Sequence, residues 1–126
     1  MESAKHGKPN VVRDKSFAFA VRVVKLAKYL QSEKKEYVLS KQVLRSGTAI
    51  GALIREAEHA QSKADFISKM SIALKEANET LYWLDLLHET DYLDDSAHTS
   101  IRFDSEELIK LLVSIVKTSR GAPDGK

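Results

Sequence analysis

The chain of 126 residues contains no cysteine. That absence excludes disulfides, thiol nucleophiles and zinc–thiolate sites, and agrees with a reducing, cytoplasmic setting. Only two prolines occur, Pro9 and Pro123, both near the ends. The long stretch between them lacks the residue that most strongly breaks helices. Glycine is also scarce, at five. Apolar runs extend over only a few residues, too short to span a bilayer, so no membrane partner is expected. The leading MESAKHGKPN has no apolar stretch behind its charges, so no signal peptide is expected. What is present is 43% hydrophobic and 30% charged residues, a globular composition of one-domain length. No strand alternation and no internal repeat compete with a helical reading.

The net charge of +2 hides a polarised distribution. Residues 1–35 hold nine Lys/Arg against three Asp/Glu, whereas residues 85–107 hold eight acids and only Arg102 as a base. Basic and acidic helices lying side by side would neutralise each other. A basic surface for an anionic partner is the alternative. Lys15, Arg22, Lys25 and Lys28, with Tyr29 as a stacking ring, are the candidate nucleic-acid contacts.

Four helical periods follow one another. Residues 15–34 place Phe17, Ala20, Val21, Val23, Val24, Ala27 and Leu30 on one broad arc. Ser40 is the expected N-cap of a second helix reaching about Gln61, with Val43, Gly47, Ile50, Ile54 and Ala57 on one face. Ser62 caps a third, with Asp65 in its first turn and Phe66, Met70, Ala73, Ala77, Leu81, Leu84 and His88 at helical steps. After an acidic loop over 89–95, Ser96 could open the fourth, although residues 104–107 could equally start it. Residues 1–13 and 121–126 read as flexible tails around a bundle over 14–120. Four helices with short connections imply an all-α, antiparallel up-down-up-down four-helix bundle.

The third helix carries a second stripe, Ile72, Glu76, Glu79, Trp83 and Leu86, about 140° round the wheel from its core face. A stripe mixing apolar residues and acids suggests an oligomer interface, against the simpler reading that the core wraps further round this helix. Gly47 and Gly51 add a GxxxG spacing in the second helix, where each glycine costs about 1 kcal/mol of helix propensity. Close packing with a neighbouring helix, in the same chain or in a second copy, is the simplest compensation. Arg45, Glu56, Glu76 and Glu79 stand within apolar or small-residue stretches and are expected to form a buried or interfacial polar cluster, because an unpaired buried charge is costly. Arg45 and Glu56 lie about three turns apart on one helix, so one Arg cannot reach all three acids within a subunit.

Catalytic patterns do not stand up. Glu56 and His59 have E-x-x-H spacing, and Asp85 and His88 have D-x-x-H spacing. Di-iron bundles use two such motifs plus further glutamates. Here the two histidines fall roughly 35 Å apart along antiparallel helices rising about 1.5 Å per residue, so they share no centre. His88 reads instead as a capping or partly buried histidine. Glu76 and Glu79 read as salt-bridged acids rather than a general acid and base. There is no glycine-rich phosphate loop and no nucleophile triad. No enzyme, metal or cofactor is expected.

The segments LSKQVLRSGTAIGA (39–52), REA (55–57), AQSKADFISKM (60–70), IALKEANET (72–80) and YWLDLL (82–87) resemble the four helix bundle protein family, whose members are encoded in intervening sequences of bacterial large-subunit ribosomal RNA genes and as stand-alone genes. The resemblance covers about residues 14–119. It implies a bacterial, cytoplasmic bundle that assembles into a pentameric ring. A more distant likeness is to the accessory variability determinant of diversity-generating retroelements, a basic pentamer working with nucleic acid, which lacks the Arg45–Ser46 and Glu76–Glu79 features. Many members have Asn near the position of Leu53, so a polar site using that Asn is altered here. The resulting expectation is a non-enzymatic homo-oligomer that contacts RNA or DNA backbone. A scaffold binding another protein, without nucleic acid, is the alternative.

Overall fold

The structure, a computed structural model, describes residues 8–121, with side chains from residue 11 onward. The expected tail segments 1–7 and 122–126 lie outside the described residues. Four helices occur: α1 (Lys8–Ser32), α2 (Leu39–Ala57), α3 (Lys63–Glu89) and α4 (Asp95–Gly121). No strand occurs among the described residues. Sequential neighbours pack closely, while α1 and α4 meet most loosely. This is the expected all-α up-down-up-down bundle. α1 starts before the expected boundary at residue 14, and Val12, placed in the tail by sequence, is fully buried.

The face that α1 buries differs from the expected arc. Val12, Ser16, Phe19, Val23, Ala27 and Leu30 point inward, whereas Phe17 is 59% exposed and Val21 also faces out. α1 is apolar on several sides, so its own periodicity does not select a face. Packing against α2 does. A Cβ on Gly47 would lie 2.7 Å from Cγ1 of Val23, so this glycine is the notch that admits α1.

Local hydrogen bonds fix the helix ends. α1 closes through Lys35, which takes a left-handed φ of 54°, while the Glu36 N–H donates to the Leu30 carbonyl at 2.9 Å. Ser40 is not the N-cap of α2. The Glu36 carboxylate takes that role, accepting from the Val38, Leu39 and Ser40 N–H groups at 3.1, 2.9 and 2.7 Å. Ser40 is buried and donates back to the Glu36 carbonyl. Partial burial pushes the Glu36 pKa up, but the three N–H donors outweigh it and hold the carboxyl below its ordinary value.

Ser62 caps α3 as expected, accepting from the Asp65 N–H at 3.0 Å, and Asp65 returns the contact by accepting from the Gln61 N–H at 3.2 Å. This is a reciprocal capping arrangement. The Gln61 bond, followed by Lys69, lowers the Asp65 pKa. α4 is one continuous helix from Asp95, so residues 104–107 start nothing new. Its cap is the Asp94 carboxylate, which accepts from the Ala97 N–H at 2.8 Å, rather than Ser96.

Candidate functional site

The α2–α3 joint gathers three of the four residues expected to cluster. The Arg45 guanidinium donates to Glu76 at 3.2 Å and to Glu79. The Trp83 indole N–H also donates to Glu79, at 3.0 Å. Glu76, Glu79 and Trp83 follow at steps of three and four, so one shoulder of α3 presents all of them to α2. Below them the buried Thr80 hydroxyl meets Ser46 at 2.8 Å. Glu56 does not join: it is exposed, three turns further along α2. The Trp83 bond and then Arg45 hold Glu79 below its ordinary pKa, and the bond to Glu79 raises that of Arg45. Arg45 remains half exposed at 50%, so solvent screening limits the pair to roughly 1 kcal/mol or less. Chemically this is an ionised clamp between two helices.

The expected interface stripe is therefore largely engaged inside the subunit. Glu76, Glu79 and Trp83 tie α3 to α2, and Leu86 is half buried. Gly47 is buried against Val23 and offers no surface to a second copy, whereas Gly51 is half-buried, with the Ser16 hydroxyl 3.5 Å from where its Cβ would stand. Ile72 keeps 41% of its surface. Sequence reasoning missed the exposed apolar surface on the other flank of α2. There Phe17 and Ala20 of α1 and Thr48, Gly51 and Ala52 of α2 line an open hollow of about 260 Å³. The Arg55 guanidinium lies 5.7 Å from the Phe17 ring centre. The outward position of Phe17 was hidden by the apolar residues surrounding it in sequence.

The basic residues of α1 divide into two groups. Lys15 pairs with Glu107 at 3.4 Å, and Arg22 pairs with Asp104 at 2.7 Å and reaches Ser100. These two contacts neutralise part of the polarised charge across the α1–α4 joint, so Lys15 and Arg22 are tied within the fold. Lys25 and Lys28 are exposed without an ion-pair partner among the described residues. Tyr29 stands beside them and is also exposed.

A second polar group joins α3 to α4. His88 meets Asp95 at 2.7 Å, and His98 meets Asp85 at 2.8 Å. The two imidazoles stack with centres 4.0 Å apart and planes 2° from parallel. Arg102 donates to both Asp85 oxygens, at 2.9 and 3.0 Å. The Asp95 bond raises the His88 pKa against the opposing effect of desolvation, with Asp95, Glu89 and Asp85 adding attraction. His88 is thus a helix-joining histidine near the α3 terminus. His98 carried no sequence signal, because only folding the 90–94 turn brings the rings together. Among the described residues no group of three or more His, Asp or Glu is placed to hold a metal ion. No helix there is long and apolar enough to cross a membrane.

Fold and site define a helical bundle with ion-paired inter-helix clamps and exposed basic and apolar surface. Residues 8–114 match the family model described as 23S rRNA-intervening sequence protein, and the chain belongs to that family. It is also similar to a crystal structure of a protein of unknown function from the S23 ribosomal protein family of Bacteroides thetaiotaomicron. The identity is 64%, the TM-score 0.86, and the match covers 87% of this chain and 98% of the other. No curated protein matches the chain.

Proposed function

We propose that this chain is a non-enzymatic, cytoplasmic subunit that assembles with copies of itself and contacts RNA or DNA through the phosphate backbone. The observation that carries the reading is the division among the α1 bases. Lys15 and Arg22 are tied to α4, while Lys25 and Lys28 project beside exposed Tyr29 with no acid paired to them among the described residues. Lysines free of partners are available to release counterions from phosphates. Self-assembly, as a pentamer on the resemblance's count, draws support from the apolar surface on both flanks of α2, with Phe17 on one side and Ile72 on the other. A ring would repeat a weak patch and multiply its affinity.

Light scattering with salt-dependent retention on RNA and DNA tests both halves. Phe17→Ser and Ile72→Glu should lower the solution mass while helical content stays intact. A wild-type particle of 14.1 kDa removes the assembly. Absence of nucleic-acid binding at low salt removes the phosphate contact. In that case the second reading stands, a protein-binding scaffold that uses the Phe17 hollow.

A further inference from the structure

We propose that the corner where α1 turns into α2 binds single-stranded nucleic acid, with phosphates on its lysines and unstacked bases on its tyrosines. The proposal rests on the phosphate-contact reading above and moves the site off the middle of α1. Lys25 and Lys28 on α1, Lys34 and Lys35 in the turn, and Lys41 in the first turn of α2 are all exposed. None has an ion-pair partner among the described residues.

The neighbouring acids are mostly engaged elsewhere. The Glu36 carboxylate is turned onto the α2 backbone, Asp94 caps α4, and Asp95 holds His88. Glu33 and Asp91 are exposed, and Glu36 and Asp94 keep their negative charge while bonded to backbone N–H groups, so the five lysines outnumber these four acids only narrowly. Lys35 sits in the left-handed region at φ 54°, where glycine or asparagine is the usual choice. Its side chain makes no hydrogen bond or ion pair among the described residues.

Two aromatic rings decide between partner classes. Tyr29 and Tyr37 are 44% and 51% exposed on either side of the lysine-rich turn. Tyr29 and Tyr92 also line an open groove of about 480 Å³ between α1 and the start of α4, with Lys25 and Arg22 among its lining residues. α1 and α4 are the adjacent pair of helices that meets most loosely. A flat base can enter such a groove and stack on a tyrosine, but only when freed from its own stack. A duplex offers phosphates and no free base face, and an acidic polypeptide offers neither phosphates nor bases.

The test is fluorescence polarisation with an oligouridylate of about 20 nucleotides, a duplex of equal length and polyglutamate, at several salt concentrations. Five phosphate contacts predict a log–log salt slope of about −3.5 for a single strand, so a fourfold rise in salt weakens binding about 130-fold. Lys25→Gln, Lys28→Gln and Lys35→Gln together should flatten that slope by about 2. Tyr29→Ala and Tyr37→Ala should each weaken single-strand binding about tenfold and remove its advantage over duplex, while the Phe replacements retain it. All are exposed positions, and circular dichroism confirms that each variant is folded.

If salt-dependent binding persists unchanged in the lysine variants, the corner is overturned while the broader nucleic-acid reading survives. If the strand and duplex bind equally and the tyrosine variants change nothing, stacking is overturned. Polyglutamate binding that depends on the same tyrosines assigns the corner to an acidic protein. No binding of either nucleic acid at low salt overturns both readings.

Discussion

Replacing Gly47 by alanine should destabilise the bundle, although alanine is the better helix former. The added Cβ would stand 2.7 and 2.8 Å from the two Val23 methyl carbons and 3.2 Å from its Cβ. Ordinary carbon contacts lie at about 3.5–4.0 Å, so the helices or the valine must give by close to 1 Å. Valine is stiff at χ1 in a helix, and both methyls face the glycine, so a rotamer change does not clear the contact. Val23 is fully buried, leaving no solvent side to move into. Overpacking of this kind costs about 1–3 kcal/mol, and alanine's propensity returns about 1 kcal/mol. The net expected loss is about 0–2 kcal/mol, toward the upper end because the contact is so short and Val23 has nowhere to move.

One turn on, Gly51→Ala should behave in the opposite way. Its nearest atom is the Ser16 hydroxyl oxygen at 3.5 Å, an ordinary contact. Propensity then dominates, and the protein should gain about 0.5–1 kcal/mol. Urea unfolding followed by circular dichroism, at one fixed protein concentration, compares the two. Val23→Ala should cost less in the Gly47→Ala background than in the wild type, with a coupling near 1 kcal/mol. A Gly47→Ala protein as stable as the wild type, uncoupled from Val23, would refute the notch.

Three further outcomes are expected. Glu36→Ala should cost about 1 kcal/mol through loss of the α2 cap, measured by urea midpoint. Because the Glu36 pKa is lowered by folding, that stabilisation is present above its unfolded value and fades as pH falls through the folded one. The His88 pKa is raised by folding, so its contribution is full below the unfolded value and is lost as pH rises through the folded one. Asp95→Asn should remove that trend from a series of midpoints between about pH 5 and 9, and an unchanged series refutes the pairing. Ser105→Ala should be neutral or stabilising by up to about 1 kcal/mol, because its buried hydroxyl has no hydrogen-bond partner among the described residues. A clear loss in calorimetry would reveal a partner for it.

Helix number, antiparallel order and the Ser62 cap were legible in the sequence because each depends on residues within a few positions of one another. Ser62 and Asp65 satisfy each other's neighbourhood locally, so the α3 start needed nothing from the rest of the chain. The start of α4 was not legible, since Asp94, Ser96 and Asp104 are all competent to cap. Folding keeps α4 continuous and buries Ile101, which settles it at Asp94. The Arg45 cluster was legible in its Glu76 and Glu79 members through their shared helix face. Helical distance along α2 already separated Glu56 from Arg45.

Tertiary structure alone decided which side of α1 is inside. Its apolar residues surround the helix, and packing against the core, with Val23 seated at the Gly47 notch, turns Val12, Phe19, Val23, Ala27 and Leu30 inward and leaves Phe17 outside. The charge pattern shows the same division. The sequence determined that a basic start and an acidic later segment exist. Only the α1–α4 joint decided that Lys15 and Arg22 meet Glu107 and Asp104 while Lys25 and Lys28 stay free of ion pairs among the described residues. Pairing between segments so far apart in the chain depends on the angular position of each helix, and that angle is set by side-chain volume in the core.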